Sequence, residues 1–98
     1  MAIMEISIIP LGTATTSLSS YVANIHKVLK QKKVNFTLND MGTTVEGETK
    51  DLLDLARELH ELPFNYGVKR VYTVIKLDDR RDKKARIGDK VNSVLNKL

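Results

Sequence analysis

Between Met4 and Ile8 apolar residues alternate with Glu5 and Ser7, so Met4, Ile6 and Ile8 share one face of an extended chain. This period-two pattern predicts a strand over residues 2–11, ended by Pro10 and Gly12. From Ser17 the period lengthens: Tyr21, Val22, Ile25, Val28 and Leu29 fall on one helical stripe, with Lys27, Lys30, Lys32 and Lys33 toward solvent or the helix C-terminus. Ser17 is the expected N-cap. Alternation returns at Val34, Phe36 and Leu38; turn residues follow over 39–42, and Thr43 to Glu46 reads as a short returning strand. Gly47 leads to a second helix with the stripe Leu52, Leu55, Ala56 and Leu59, its first turns holding Glu48, Asp51 and Asp54 near the positive end of the helix dipole. Pro63 and Gly67 mark its exit. Val68 to Asp78 is predicted as the longest strand, and Ile87, Val91, Val94, Leu95 and Leu98 form a third helical stripe.

The order is β-α-β-β-α-β with an added C-terminal helix. Short, right-handed connections fold this into an α+β ferredoxin-like plait: one domain over residues 1–98, a four-stranded antiparallel sheet with both crossover helices on one face. The alternation then places Ile3, Ile9, Tyr72 and Val74 on the opposite face, beside Glu5, Ser7, Thr44, Glu46, Arg70 and Lys76. A face this apolar calls for a cover, either the third helix or another subunit. Self-association through the sheet face, the edge of the last strand or both is therefore expected.

Composition narrows the function. Ninety-eight residues suit one core, and 42% apolar with 29% charged residues is the balance of a folded globular chain. Without cysteine there is neither a disulfide nor a thiolate metal site, and a cytoplasmic setting is the default. The first apolar run, Ile3 to Leu11, is interrupted by Glu5 and Pro10 and is too short for a signal or a membrane span. The charge of +4 concentrates in Lys69-Arg70 and in Arg80 to Arg86, which reads as a solvated face. RNA-recognition modules use the same plait but stack bases on aromatic residues of their third strand. Here that strand is Thr43-Thr44-Val45-Glu46, with no aromatic and with an acid where phosphate would pass, so nucleic acid is not the expected partner.

Catalysis finds little support. His26 and His60 stand singly on separate helices and are expected to be exposed, with no metal site. Asp78, Asp79 and Asp82 interleave with Arg80, Arg81 and Lys83, which should neutralise them. Neither a phosphate-binding glycine loop nor a nucleophile elbow is present. The reading is a protein that is not an enzyme and carries no cofactor.

Two segments remain as candidate binding walls. After Gly12 come Thr13, Thr15, Thr16, Ser17, Ser19 and Ser20, more hydroxyls than one helix cap uses. They are either ordinary loop and first-turn residues or the wall of a polar pocket at the helix N-terminus. Met41 to Gly47 is either a plain hairpin with a solvated acid or the opposing wall, because the third strand lies beside the first.

Three stretches carry a resemblance: Ile8 to Val22 (IIPLGTATTSLSSYV), Met41 to Gly47 (MGTTVEG) and Arg70 to Lys83 (RVYTVIKLDDRRDK). In this order and spacing they resemble the YkoF-like thiamine-binding protein family. The resemblance implies a ferredoxin-like fold, assembly through the sheets into homodimers and commonly homotetramers, and binding of thiamine or its hydroxymethylpyrimidine moiety without turnover. With that ligand in view, Gly12, Thr13 and Ser17 are expected on one side of a pocket and Met41, Gly42, Thr43, Thr44 and Glu46 on the other. Tyr21 or Met41 would meet a ring face, and Glu46 a pyrimidine nitrogen or the thiazolium charge. The alternative is a structural or regulatory interaction module without a small-molecule ligand.

Overall fold

The computed structural model describes residues 1–14 and 18–98. The elements run β1 (Ala2–Leu11), α1 (Ser19–Lys32), β2 (Asn35–Asn39), β3 (Gly42–Gly47), α2 (Thr49–Glu61), a 3₁₀ turn (Leu62–Tyr66), β4 (Arg70–Asp79) and α3 (Asp89–Leu95). The strands form one sheet in the order β2-β3-β1-β4, every neighbouring pair antiparallel. This is the predicted plait with its additional C-terminal helix.

The core lies between the sheet and α1 with α2. Ala2, Met4, Ile6 and Ile8 point into it from β1, Val45 from β3, Ile25 and Leu29 from α1, and Leu52, Leu55, Ala56 and Leu59 from α2. These are the period-two and helical stripes read from the sequence. At about 25 cal/mol per Å² of apolar surface removed from water, their burial is the main term holding the two layers together.

Three local features differ from expectation, and the expected Ser17 cap lies outside the described residues. The described helix starts at Ser19 with Leu18 at the N-cap position. Strand β4 begins at Arg70, giving it the same ten-residue length as β1. As an edge strand it receives less helix cover than β1, and its core-facing Ile75 and Leu77 stay 43% and 38% exposed. Helix α3 is only seven residues long, buries no side chain, and leaves Val91, Val94 and Leu95 exposed. A radius of gyration of 14.6 Å, against about 12.6 Å for a compact chain of this length, fits a helix that projects from the body.

The face opposite the helices is therefore only partly covered. After β4 the chain turns back across one end of it: Ala85 is buried, the Ile87 N–H donates to Glu46 Oε2 at 2.8 Å, and Lys90 pairs with Asp78. The cover comes from the irregular segment before α3, not from the apolar stripe of α3 itself. Tyr72 and Val74, farther along β4, remain 56% and 38% exposed.

Candidate functional site

Strand β1 delivers its end to the start of β4, where Leu11 pairs with Arg70. Two glycines on either side of this meeting point, Gly12 at φ 74° and Gly67 at φ 86°, take the left-handed conformation that lets each segment turn sharply without a Cβ clash. Gly67 closes the 3₁₀ turn, its N–H bonded to Phe64 O at 3.1 Å. The two turns and the first part of α1 border an open cleft of about 750 Å³ lined by Leu11, Gly12, Thr13, Ala14, Tyr21 and Tyr66 to Arg70. Its lining residues include two tyrosines, two glycines, a threonine, a lysine and an arginine. The volume lies within the ~300–1,000 Å³ typical of small-molecule sites.

Gly12 and Thr13 line this cleft together with Tyr21. The other predicted wall is elsewhere. Glu46 pairs with Ile3, eight residues before Leu11, which is about 26 Å of strand at ~3.3 Å per residue. The hairpin turn does not reach the cavity either, because β3 has six residues to the ten of β1 and Thr43 pairs only as far along as Ile6. The chain does not bring the Gly12 and Glu46 sides into one pocket.

Each residue of that second set has its own surroundings. The Ser7 hydroxyl donates to Met41 O at 2.7 Å, while the Met41 side chain is 84% exposed. At Gly42 a Cβ would stand 2.9 Å from Ser7 Oγ and 3.1 Å from Ile6 O, so β3 lies against β1 too closely for a guest to enter. Thr43 is buried on the helix side, and Thr44 accepts from Asn39 Nδ2 at 2.9 Å on the other. Glu46, 8% exposed, accepts from Asn35 Nδ2 at 2.5 Å and from the Ile87 N–H. A buried carboxylate needs donors, and here the protein itself supplies them.

A second groove, about 530 Å³, runs along α2 between Lys32, Val34, Glu46 and the α2 residues Asp51 to Glu58. The Lys32–Glu58 ion pair, 2.9 Å, spans it. It lacks the aromatic rings of the first cavity.

Outside these two grooves, the histidines and the acids at the end of β4 have mostly structural surroundings, although the buried Nε2 of His26 has no hydrogen-bond partner among the described residues. Both histidines are half-buried, contrary to the expected exposure, because each stacks edge-on against a phenylalanine: His26 on Phe36 at 4.9 Å and His60 on Phe64 at 5.5 Å. His60 Nδ1 also meets Thr73 Oγ1 at 2.7 Å. Among the described residues no group of three metal-ligating side chains comes together. The acids at and just beyond the end of β4 are paired, Asp82 with Arg80 and Asp79 with Arg81, as expected, while Asp78 takes Lys90.

The Arg80 guanidinium, hydrogen-bonded to Asp82, holds that carboxyl at about 2. Asp79 lies below the ordinary carboxylate value through its bond to Arg81 and, next, to Thr49. A depressed carboxyl pKa contributes stability above the unfolded value of 3.8 that is lost as the pH falls through about 2. Arg80→Ala is expected to move the Asp82 midpoint up toward 3.8, read from its carboxyl resonance in an NMR titration. An unmoved midpoint would show that Arg80 is not the cause.

Sequence reasoning named Lys69 as surface charge and Arg70 as a charge on the open sheet face, and passed over Tyr66, Gly67 and Val68 as cavity residues. The available signal was strand order. In a plait the entry to β4 lies beside the end of β1, so the turn residues Pro63 to Gly67 were bound to face the Gly12 loop.

Comparison with known proteins bears on this cavity. The model of a family described as thiamine-binding protein matches residues 4–95. The UPF0045 protein YqgV of Bacillus subtilis is 45% identical over 98 residues, covering 96% of this chain and 94% of its own. A UPF0045 protein of Methanothermobacter thermautotrophicus is 44% identical over 99 residues, covering 100% of each. The crystal structure of the hypothetical protein MJ1052 of Methanocaldococcus jannaschii superposes with a TM-score of 0.84 at 35% identity, covering 95% of this chain and 94% of that one.

Proposed function

Because this chain belongs to the thiamine-binding protein family, we propose that it binds thiamine or its hydroxymethylpyrimidine moiety, without turnover, in the cavity at the Gly12 end of the sheet. The observation that carries the reading is the composition of that cleft: Tyr21 and Tyr66 together with Thr13 and two glycine turns. A flat aminopyrimidine presents ring faces to tyrosine and alternating donors and acceptors to hydroxyl and peptide groups. Such walls are equipment for recognition rather than for bond cleavage.

Calorimetry tests it. Saturable heat is expected with thiamine or hydroxymethylpyrimidine, and absence of heat with both at millimolar concentration would remove the reading.

Self-association belongs to the same proposal. Tyr72 and Val74 lie exposed on the open sheet face, the apolar side of α3 is uncovered, and β4 leaves one edge unpaired. Sedimentation at micromolar concentration should give two or four times the 11.0 kDa chain mass. A single 11.0 kDa species would contradict it.

A further inference from the structure

Both segments that wall the cavity lack acids. No Asp or Glu occurs from Ile6 to Val22, and none from Leu62 to Leu77. The cavity nonetheless holds Lys69 and Arg70. The basic residues nearest along the rest of β4 and just after it do have carboxylate partners: Lys76 has Glu5 at 3.8 Å, Arg80 has Asp82 and Arg81 has Asp79. Lys69 and Arg70 form no ion pair among the described residues, and they line the same cleft as Tyr21 and Tyr66.

We propose that the ligand of this cavity is a phosphate monoester, of thiamine or of its pyrimidine alcohol, and that Lys69 and Arg70 receive its phosphoryl oxygens. The proposal rests on the reading that the cavity is the binding site, and adds the charge state of what binds. Free thiamine carries a positive thiazolium and would meet two cations with no acid to offset them. A monoester brings about −1.5 to −2 charges and three strong acceptors. The planar Arg70 fork can take two phosphoryl oxygens at once, while Lys69 acts as a mobile point charge. The sequential pair Lys69-Arg70, plain surface charge by composition, gains a use from the fold that places it beside Gly12.

The test compares thiamine, thiamine monophosphate and inorganic phosphate by calorimetry on the intact protein, with the Lys69→Gln/Arg70→Gln double variant alongside. Both side chains are exposed, so the variant should keep its fold, and its unchanged far-UV spectrum serves as the check. The monoester is expected to bind about tenfold or more tighter than thiamine at low salt, with the margin narrowing as salt screens the charges. The double variant should lose that margin, and inorganic phosphate should compete weakly with the monoester. Equal or tighter binding of thiamine overturns the phosphate inference and leaves the cavity reading standing. A margin that survives the double variant overturns the assignment to these two residues. Absence of binding by any organic ligand overturns both readings.

Discussion

Leu59→Ala is expected to lower the free energy of unfolding by about 2–5 kcal/mol, the cost of a cavity left where a leucine was enclosed on all sides. Leu59 has 0% exposure and lies in the layer that Met4, Leu29 and Val45, also at 0%, complete from the sheet and the other helix. A domain of this size holds about 5–15 kcal/mol in total, so the variant should show a clear drop in denaturation midpoint. Leu53, on the same helix but 48% exposed, is the control: its replacement by alanine should stay within about 0.5 kcal/mol. Equal losses at the two positions would mean that α2 does not dock by the Leu52, Leu55, Ala56 and Leu59 face.

The second large effect is at Glu46. Both of its partners are donors, the Asn35 amide and the Ile87 N–H, so the carboxylate closes β2 and the returning C-terminal segment onto the sheet. Glu46→Ala leaves these donors without an acceptor and should cost about 1–3 kcal/mol. Glu46→Gln should cost less, because its single carbonyl can keep the Ile87 bond while the Asn35 amide reverses to accept from the new NH₂ group. Native-state hydrogen exchange locates the loss: the Ile87 amide should lose protection in the alanine variant and retain most of it in the glutamine variant. If the alanine variant is as stable as the parent, the Glu46 contacts do not fasten the C-terminal segment. Ligand binding in the Gly12 cavity should be unaffected by either change, since Glu46 lies at the other end of β1.

The architecture was legible because burial follows period. The Met4, Ile6, Ile8 alternation and the Leu52, Leu55, Leu59 stripe each determine one buried face, and the crossover rule then leaves β1 between β3 and β4. The same alternation correctly placed Glu5, Thr44 and Glu46 on one side of the sheet, as the pairing of Glu5 with Thr44 and of Ile3 with Glu46 confirms.

Register was not legible. Adjacency of β1 and β3 says nothing about how far along β1 the shorter strand reaches, and the four-residue difference in length keeps Met41 and Gly42 beside Ser7 rather than Gly12. Nor could the use of Glu46 be foreseen, because its donor is the backbone of Ile87, which the apolar stripe assigned to the third helix but which lies just before α3. The histidines misled for a related reason: isolated polar residues on helices read as exposed, whereas the faces of Phe36 and Phe64 that shelter them come from distant or irregular chain.

The central claim is that the ligand enters at the junction of β1 and β4, between the Gly12 and Gly67 turns. An NMR titration of the amide resonances with thiamine monophosphate tests it most directly. Shifts concentrated at Leu11, Gly12, Tyr66, Gly67 and Lys69, with Thr44 to Gly47 unmoved, are the predicted result; shifts confined to Met41 through Glu46, with Gly12 and Gly67 unmoved, would contradict it.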